Sequence, residues 1–372
     1  MDSEEKLLGS VLVVGGTGFI GRHIVDAFLN EPSCTAVHVL SRTIPKDVTP
    51  NVEYLEADIR NFNELKRTID EINPRTITNL ACPGYPAGEK ELQEVIVQGN
   101  SNILRCAVEN DAVKAYIFAS SAEVVRRIGK ELNEETAEVW SKQSKDFSTI
   151  SLWAKAKAIA ETMTLKANGT CLNTTALRMQ AVYGEGESGH IKAHFMNMRN
   201  WKENFQLGDD TCLFSFMYVK SAARAYVLAA KALVEGRQDP NLDGEAYFVS
   251  DGVSTPFWGF ARKVYAAAGH RFAKQEVRVT PFWVLFTIAA VVEGVYWLFA
   301  RRSGTGRVPL SVAEVEYLRS GVAVSIEKAR VKLGYEPLVD QEEGIRRSVK
   351  WALENGEGLQ GNDTEKERVS RV

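Results

Sequence analysis

The sequence predicts an α/β fold: a doubly wound parallel sheet followed by a smaller C-terminal α+β lobe. Three observations carry this. An apolar β-branched run ends in clustered glycines at residues 11–21, further strand-like runs alternate with helical spacings, and after residue 187 the pattern turns to mixed helix and short strand. The chain has 372 residues, 45% hydrophobic and 25% charged, enough for a sizeable core with ordinary globular composition. The expected division is 1–187 for a nucleotide-binding domain, 188–360 for a substrate lobe and 361–372 for a disordered polar tail, "GNDTEKERVSRV".

The first element is "VLVVGGTGFIG", in which a strand runs into Gly15, Gly16, Gly18 and Gly21, and Ile20, Ile24, Val25 and Phe28 then follow at helical spacing. Without side chains, backbone can approach a pyrophosphate, and the helix N-terminus offers unpaired N–H groups and positive potential. A glycine pattern alone is a weak signal, but the flanking strand and helix make this a Rossmann-type dinucleotide turn. Gly15, Gly18, Phe19, Ile20 and Gly21 are its expected cofactor contacts.

The second strand, "AVHVLSRT", ends where such a unit places the residue that reads the adenosine ribose. An acid there would accept from the 2′-hydroxyl of NAD. Ser41 and Arg42 stand there instead, and a guanidinium matches a 2′-phosphate bidentately. NADP(H) is therefore expected, with NAD as the alternative; a plain surface arginine is the competing reading of Arg42.

Strand patterns follow at 52–59, 76–81 and 115–121, and a helical stretch at 87–109. Asp58 closes its strand, placed to accept from the adenine amino group; capping a helix is the competing reading, and the two are compatible. Ile59 and Ala81 complete the expected cofactor contacts.

Other classes are disfavoured. Net charge is −3 with no basic run, which gives no reason to expect nucleic acid. Five scattered cysteines without a CxxC fit a reducing compartment. The acidic start "MDSEEKLLGS" lacks the apolar core of a secretory signal. His190 and His194 have metal-ligand spacing but no third ligand motif, so no metal is expected.

Residues 281–300, "PFWVLFTIAAVVEGVYWLFA", are nearly unbroken apolar and are followed by Arg301 and Arg302. About 20 residues just span hydrocarbon, but Glu293 inside the run would cost on the order of 3 kcal/mol. The expectation is a helix in the membrane interface, with Trp283, Tyr296 and Trp297 at headgroup level. A buried core helix is the competing reading.

The segments "VLVVGGTGFIGRHIV", "AYIFASSAEVV", "TALRMQAVYGEGE", "PFWGF" and "KLGYEPL" make the chain resemble the extended short-chain dehydrogenase/reductases. Within them it resembles the branch of 3β-hydroxysteroid dehydrogenases and decarboxylating sterol-4α-carboxylate 3-dehydrogenases. The resemblance implies an NAD(P)-dependent dehydrogenase/reductase acting on the 3-hydroxyl or 3-ketone of a sterol or polycyclic terpenoid, with C4 decarboxylation. It also implies a lipophilic substrate, peripheral contact with the cytoplasmic face of the endoplasmic reticulum (the cytoplasm being the alternative) and room for a homodimer.

In that family a Ser orients the substrate oxygen, a Tyr transfers the proton, and a Lys four residues later lowers the phenol's pKa and holds the nicotinamide ribose. The matching positions are Ser121, Trp153 and Lys157. No tyrosine lies between Tyr116 and Tyr183. Phenol titrates near pH 10 and is tunable, whereas indole only donates a hydrogen bond. Losing a general acid–base costs roughly 10²–10⁴ in rate. Three outcomes stay open: a relay through Ser121 with Lys155 or Lys157 and water, non-redox isomerisation or cyclisation, or a nucleotide-binding scaffold without turnover. Met179, Lys220 and Gly259 also depart from the family pattern, which suggests a specialised relative in a secondary-metabolite pathway.

Overall fold

The computed structural model describes residues 8–84, 87–126, 131–141, 143–144, 150–187, 204–235, 242–270, 276–299 and 312–355. His190, His194, Arg301, Arg302, the Trp297 side chain and the tail at 361–372 lie outside the described residues.

Strand β1 (Gly9–Val14) leads through the glycine turn to helix α1 (Phe19–Leu29), then β2 (Cys34–Ser41), β3 (Val52–Glu56), α2 (Phe62–Ile72) and β4 (Thr76–Asn79). A helix enters at Glu89–Leu92, passes a π-helical turn at Gln93–Gln98 and continues as α3 (Gly99–Val108). Next come β5 (Ala115–Ser121), α4 (Leu152–Lys166), β6 (Asn173–Met179), α5 (Val219–Glu235) and β7 (Glu245–Val249). The seven strands form one sheet in the order β7-β6-β5-β4-β1-β2-β3, and every pair is parallel. This is the Rossmann-type doubly wound sheet expected from the sequence.

Both faces of the sheet are covered, which is why its strands read as apolar runs rather than alternating ones. On one face Val11, Val13, Val39 and Ile117 pack with α1 (Ile24, Phe28) and α5 (Tyr226, Leu233). On the other, Leu12, Val14, Tyr116 and Phe118 pack with α3 (Ile103) and α4 (Ala156, Ala160). The alanines of "LWAKAKAIAE" let α4 lie close to β5 and β6. Its start is fixed by Ser151, whose side chain accepts from the Ala154 N–H.

Strand ends shift from the sequence expectation for identifiable reasons. β4 stops at Asn79, not residue 81, because the Asn79 side chain takes over the bonding: Oδ1 accepts from Ala81 N at 3.0 Å, and Nδ2 donates to Tyr116 and Asn100. The expected helix at 87–109 carries the π-turn just before Gly99. There the backbone lies so close to Ile59 that a Cβ would come within 2.4 Å of its Cδ1.

The chain divides into two compact units, each discontinuous. One comprises 1–182, 215–254 and 322–338 and holds the whole sheet together with α9 (Glu327–Leu333); the other comprises 183–214, 255–321 and 339–372. The expected boundary at 187/188 is contiguous, whereas the first unit leaves and re-enters the chain twice.

The second unit contains α6 (Phe257–Ala267), α7 (Phe282–Phe299), α8 (Val312–Ser320) and α10 (Gln341–Glu354). Asp210 anchors α6 by accepting from the Trp258 N–H at 2.8 Å and from Arg262 at 2.5 Å. Among the described residues no helix is long and apolar enough to cross a membrane. On α7, Glu293 turns inward and accepts from Val312 N at 3.2 Å, while Trp283, Ile288, Val291 and Val295 are exposed.

Candidate active site

The strands β1 and β4 leave their carboxyl ends side by side while their connections diverge to opposite halves of the sheet, the place where open α/β sheets bind ligands. Gly15 there has φ +82°, open to glycine. A Cβ on Gly21 would sit 2.3 Å from the Gly15 carbonyl oxygen, so the turn closes only without that side chain. Gly18 is different: a Cβ there meets only Gly15 O at 3.4 Å, and as N-cap it offers no side chain to the first turn of α1. A cradle of bare backbone at a helix N-terminus fits a dinucleotide pyrophosphate.

The flanking positions fall around this cradle. Phe19 stacks edge-on against His23 at 5.9 Å, and Ile20 is partly buried against the core. Ser41 ends β2 and donates to Thr43 O, with exposed Arg42 next. Asp58 does not cap α2; Asn61 does, accepting from Glu64 N. The Asp58 carboxylate instead grips Arg60, with Nη2–Oδ2 at 2.6 Å. That hydrogen bond is the main cause holding the Asp58 carboxyl below its ordinary range, to which the charge of Arg42 adds. Ile59 is buried in the core, its carbonyl accepting from Asn102, and Ala81 follows the end of β4.

Ser120 and Ser121 sit one strand further on, at the end of β5. Successive residues of a strand point to opposite faces, and Ser120 and Ser121 divide accordingly. Ser120 donates to Glu161 at 2.5 Å, and Glu161 receives Arg178 at 2.6 Å; all three are buried. Ser121 ends β5, its Oγ accepting from Glu123 N at 3.2 Å. Lys157 is 4% exposed. Its Nζ donates to Ala119 O at 2.7 Å and lies 4.8 Å from the Phe118 ring and 5.7 Å from the Trp153 ring. Burial pulls the Lys157 pKa below its ordinary value, opposed by the charge of Cys82.

Trp153 Nε1 donates to Cys82 Sγ at 3.3 Å. Tyr116, the nearest preceding tyrosine, faces the core and donates to Asn100 at 2.7 Å. The structure therefore places Trp153, Lys157 and the end of β5 together, with a thiol that the sequence reading passed over. No local signal in the sequence marked it: β4 ends at Asn79, three residues before Cys82, and only the pairing of β4 with β5 brings that loop beside the end of β5. Among the described residues no group of three His, Cys, Asp or Glu is arranged to hold a metal.

The model of the 3-beta hydroxysteroid dehydrogenase/isomerase family matches residues 12–279. The chain is 31% identical over 291 residues to the decarboxylating sterol-4-alpha-carboxylate 3-dehydrogenase of Gibberella zeae, covering 78% of this chain and 95% of that protein. It is 29% identical to the enzyme of that name from Schizosaccharomyces pombe, covering 92% and 97%. Among solved structures it is similar to a UDP-glucose 4-epimerase from Thermotoga maritima (TM-score 0.67, 20% identity, 93% and 99% covered). It is also similar to a dTDP-glucose 4,6-dehydratase from Bacillus anthracis in complex with NAD (TM-score 0.67, 19% identity, 94% and 97% covered). At those identities the structures speak for the fold alone.

Proposed function

The chain belongs to the 3-beta hydroxysteroid dehydrogenase/isomerase family, and from that premise we propose that it oxidises the 3-hydroxyl of a sterol or related polycyclic terpenoid, with loss of a C4 carboxylate. It is an NAD(P)-dependent oxidoreductase of the kind its relatives are named for. The observation that carries the reading is the buried Lys157 ammonium beside the end of β5, on the carboxyl side of a glycine cradle shaped for a dinucleotide.

The bound nicotinamide nucleotide supplies the hydride acceptor or donor. Gly15, Gly18 and Gly21 hold the pyrophosphate, Lys157 holds the ribose hydroxyls, and Ser121 orients the substrate oxygen. A ketone formed at C3 puts a C4 carboxylate β to a carbonyl, so the electron pair released as carbon dioxide leaves is taken up by that carbonyl.

Arg42, exposed where β2 ends and free of a neighbouring acid on its own strand end, supports NADP(H) over NAD. The outward apolar face of α7 supports a place on the cytoplasmic surface of the endoplasmic reticulum membrane, where a lipophilic substrate collects. Met179, Lys220 and Gly259 support a specialised, secondary-metabolite substrate.

The test is incubation of purified protein with NADP⁺ or NAD⁺ and a 4α-carboxy-3β-hydroxysterol. The expected result is growth of the reduced-nicotinamide absorbance with matching release of carbon dioxide. Nucleotide binding without turnover of any 3-hydroxy or 3-oxo steroid would instead support the non-redox reading that Trp153 favours.

A further inference from the structure

A dehydrogenase of this kind needs a group that takes the hydroxyl proton, and the indole of Trp153 has no lone pair to take it with. The indole N–H is spent on Cys82, whose sulfur accepts it at 3.3 Å. Cys82 is exposed, two residues past Leu80 in the loop that follows β4, at the carboxyl edge where ligands enter. The Lys157 ammonium lies 5.7 Å from the same indole ring whose N–H reaches the sulfur. The sulfur thus carries an N–H donor and shares the indole with a buried cation, and cysteines that work in catalysis sit beside donors and cations.

We propose that Cys82 is the proton-transferring residue of this site, with Trp153 aiming the sulfur and Lys157 supplying the opposing charge. The inference rests on the oxidoreductase reading above. Ordinary thiols titrate near about 8.5, closer to neutral than phenols near about 10, so a thiol is chemically suited to the exchange. In the oxidising direction the Cys82 thiolate accepts the C3 hydroxyl proton. The O–H electron pair would become the second C–O bond, and an oxidised nicotinamide nucleotide held in the glycine cradle would supply the acceptor for the C3 hydrogen and its electron pair. The thiol then returns its proton to solvent. Reduction of a ketone runs the same steps backwards.

Two measurements on the full chain test this. Cys82→Ala should lower kcat by about 10²–10⁴-fold with KM and nucleotide affinity nearly unmoved, whereas Cys171→Ala, at an exposed thiol elsewhere, should not change it. Alkylation of Cys82 by iodoacetamide, followed by peptide mass spectrometry, should slow several-fold when NADP⁺ and the 4α-carboxy-3β-hydroxysterol are both present, with Cys171 labelling unchanged. A Cys82→Ala enzyme that keeps kcat within about twofold overturns the proposal and leaves the oxidoreductase reading standing. So does Cys82 labelling that neither ligand slows. Protection of Cys82 in a wild-type protein that turns over no 3-hydroxysteroid overturns the oxidoreductase reading, and the proton-transfer role falls with it.

Discussion

Trp153 and Cys82 meet at the carboxyl edge of the sheet, the indole N–H of α4 3.3 Å from the sulfur that follows β4. The contact joins the helix bearing Lys157 to the loop beside the glycine cradle. It turns the loss of a phenol at position 153 from an isolated defect into one half of a pair.

That pairing makes the two positions energetically coupled. Trp153→Tyr restores a phenol one turn before Lys157, so Cys82→Ala should cost far less rate in the Trp153→Tyr background than in wild type. Neighbours that share a task give non-additive effects of about 0.5–3 kcal/mol. A double-mutant cycle on kcat reads this; strict additivity would count against shared proton transfer.

Lys157 predicts a pH dependence of stability. Its folded pKa lies below the ordinary 10.5 because burial disfavours the charge. Between the folded and unfolded values the unfolded chain binds the extra proton, so stability rises with pH across that window and levels off above the unfolded value. Lys157→Met should raise stability at neutral pH and flatten that rise. Urea unfolding between about pH 7 and pH 10 checks it, and an unchanged slope would contradict the assignment.

The Ser120–Glu161–Arg178 cluster ties α4 to β5 and β6 within the core. Removing one partner strands a buried charge, so Glu161→Gln should destabilise by about 3–5 kcal/mol. Replacing Glu161 and Arg178 together with methionine should cost much less. Denaturant midpoints of the two variants and the wild type distinguish a buried ion pair from mere packing.

Arg42 is exposed, and its charge reaches Asp58, which Arg60 already occupies. Arg42→Glu should move the ratio of kcat/KM for NADP over NAD by about 10–100-fold towards NAD, or about 1.4–2.8 kcal/mol. Paired kinetics with the two nucleotides measure it, and an unmoved ratio removes Arg42 from the 2′-phosphate.

On α7 the exposed residues Trp283, Ile288, Val291 and Val295 are apolar while Glu293 bonds to the backbone of α8. Val291→Asp should weaken co-sedimentation with vesicles of zwitterionic and anionic phospholipid and leave folding within about 0.5 kcal/mol. Equal vesicle binding by the variant would take this helix out of the membrane contact.

The nucleotide half was legible because its signals are local. A strand, four glycines and an amphipathic helix within residues 11–28 impose their own geometry wherever they fold. The same holds for "AYIFASS", whose seven residues form β5 as read. Of the two compatible readings of Asp58, the helix cap falls to Asn61, three residues on, which makes an equally good local cap and starts α2 later. Glu293 counts in the sequence against a spanning helix, and the tertiary structure gives its carboxylate a partner, the Val312 N–H.

By itself the sequence determined the sheet, the cradle and the absence of a tyrosine between positions 116 and 183, since each follows from residues close together in the chain. Only the tertiary structure decided what faces Trp153. Cys82 is 71 residues away on a different connection, and the two meet because β4 lies beside β5 and alanine-rich α4 packs close above them. It likewise decided that α5, β7 and α9 rejoin the first unit. Periodicity records which face of an element is buried, but not which distant element buries it.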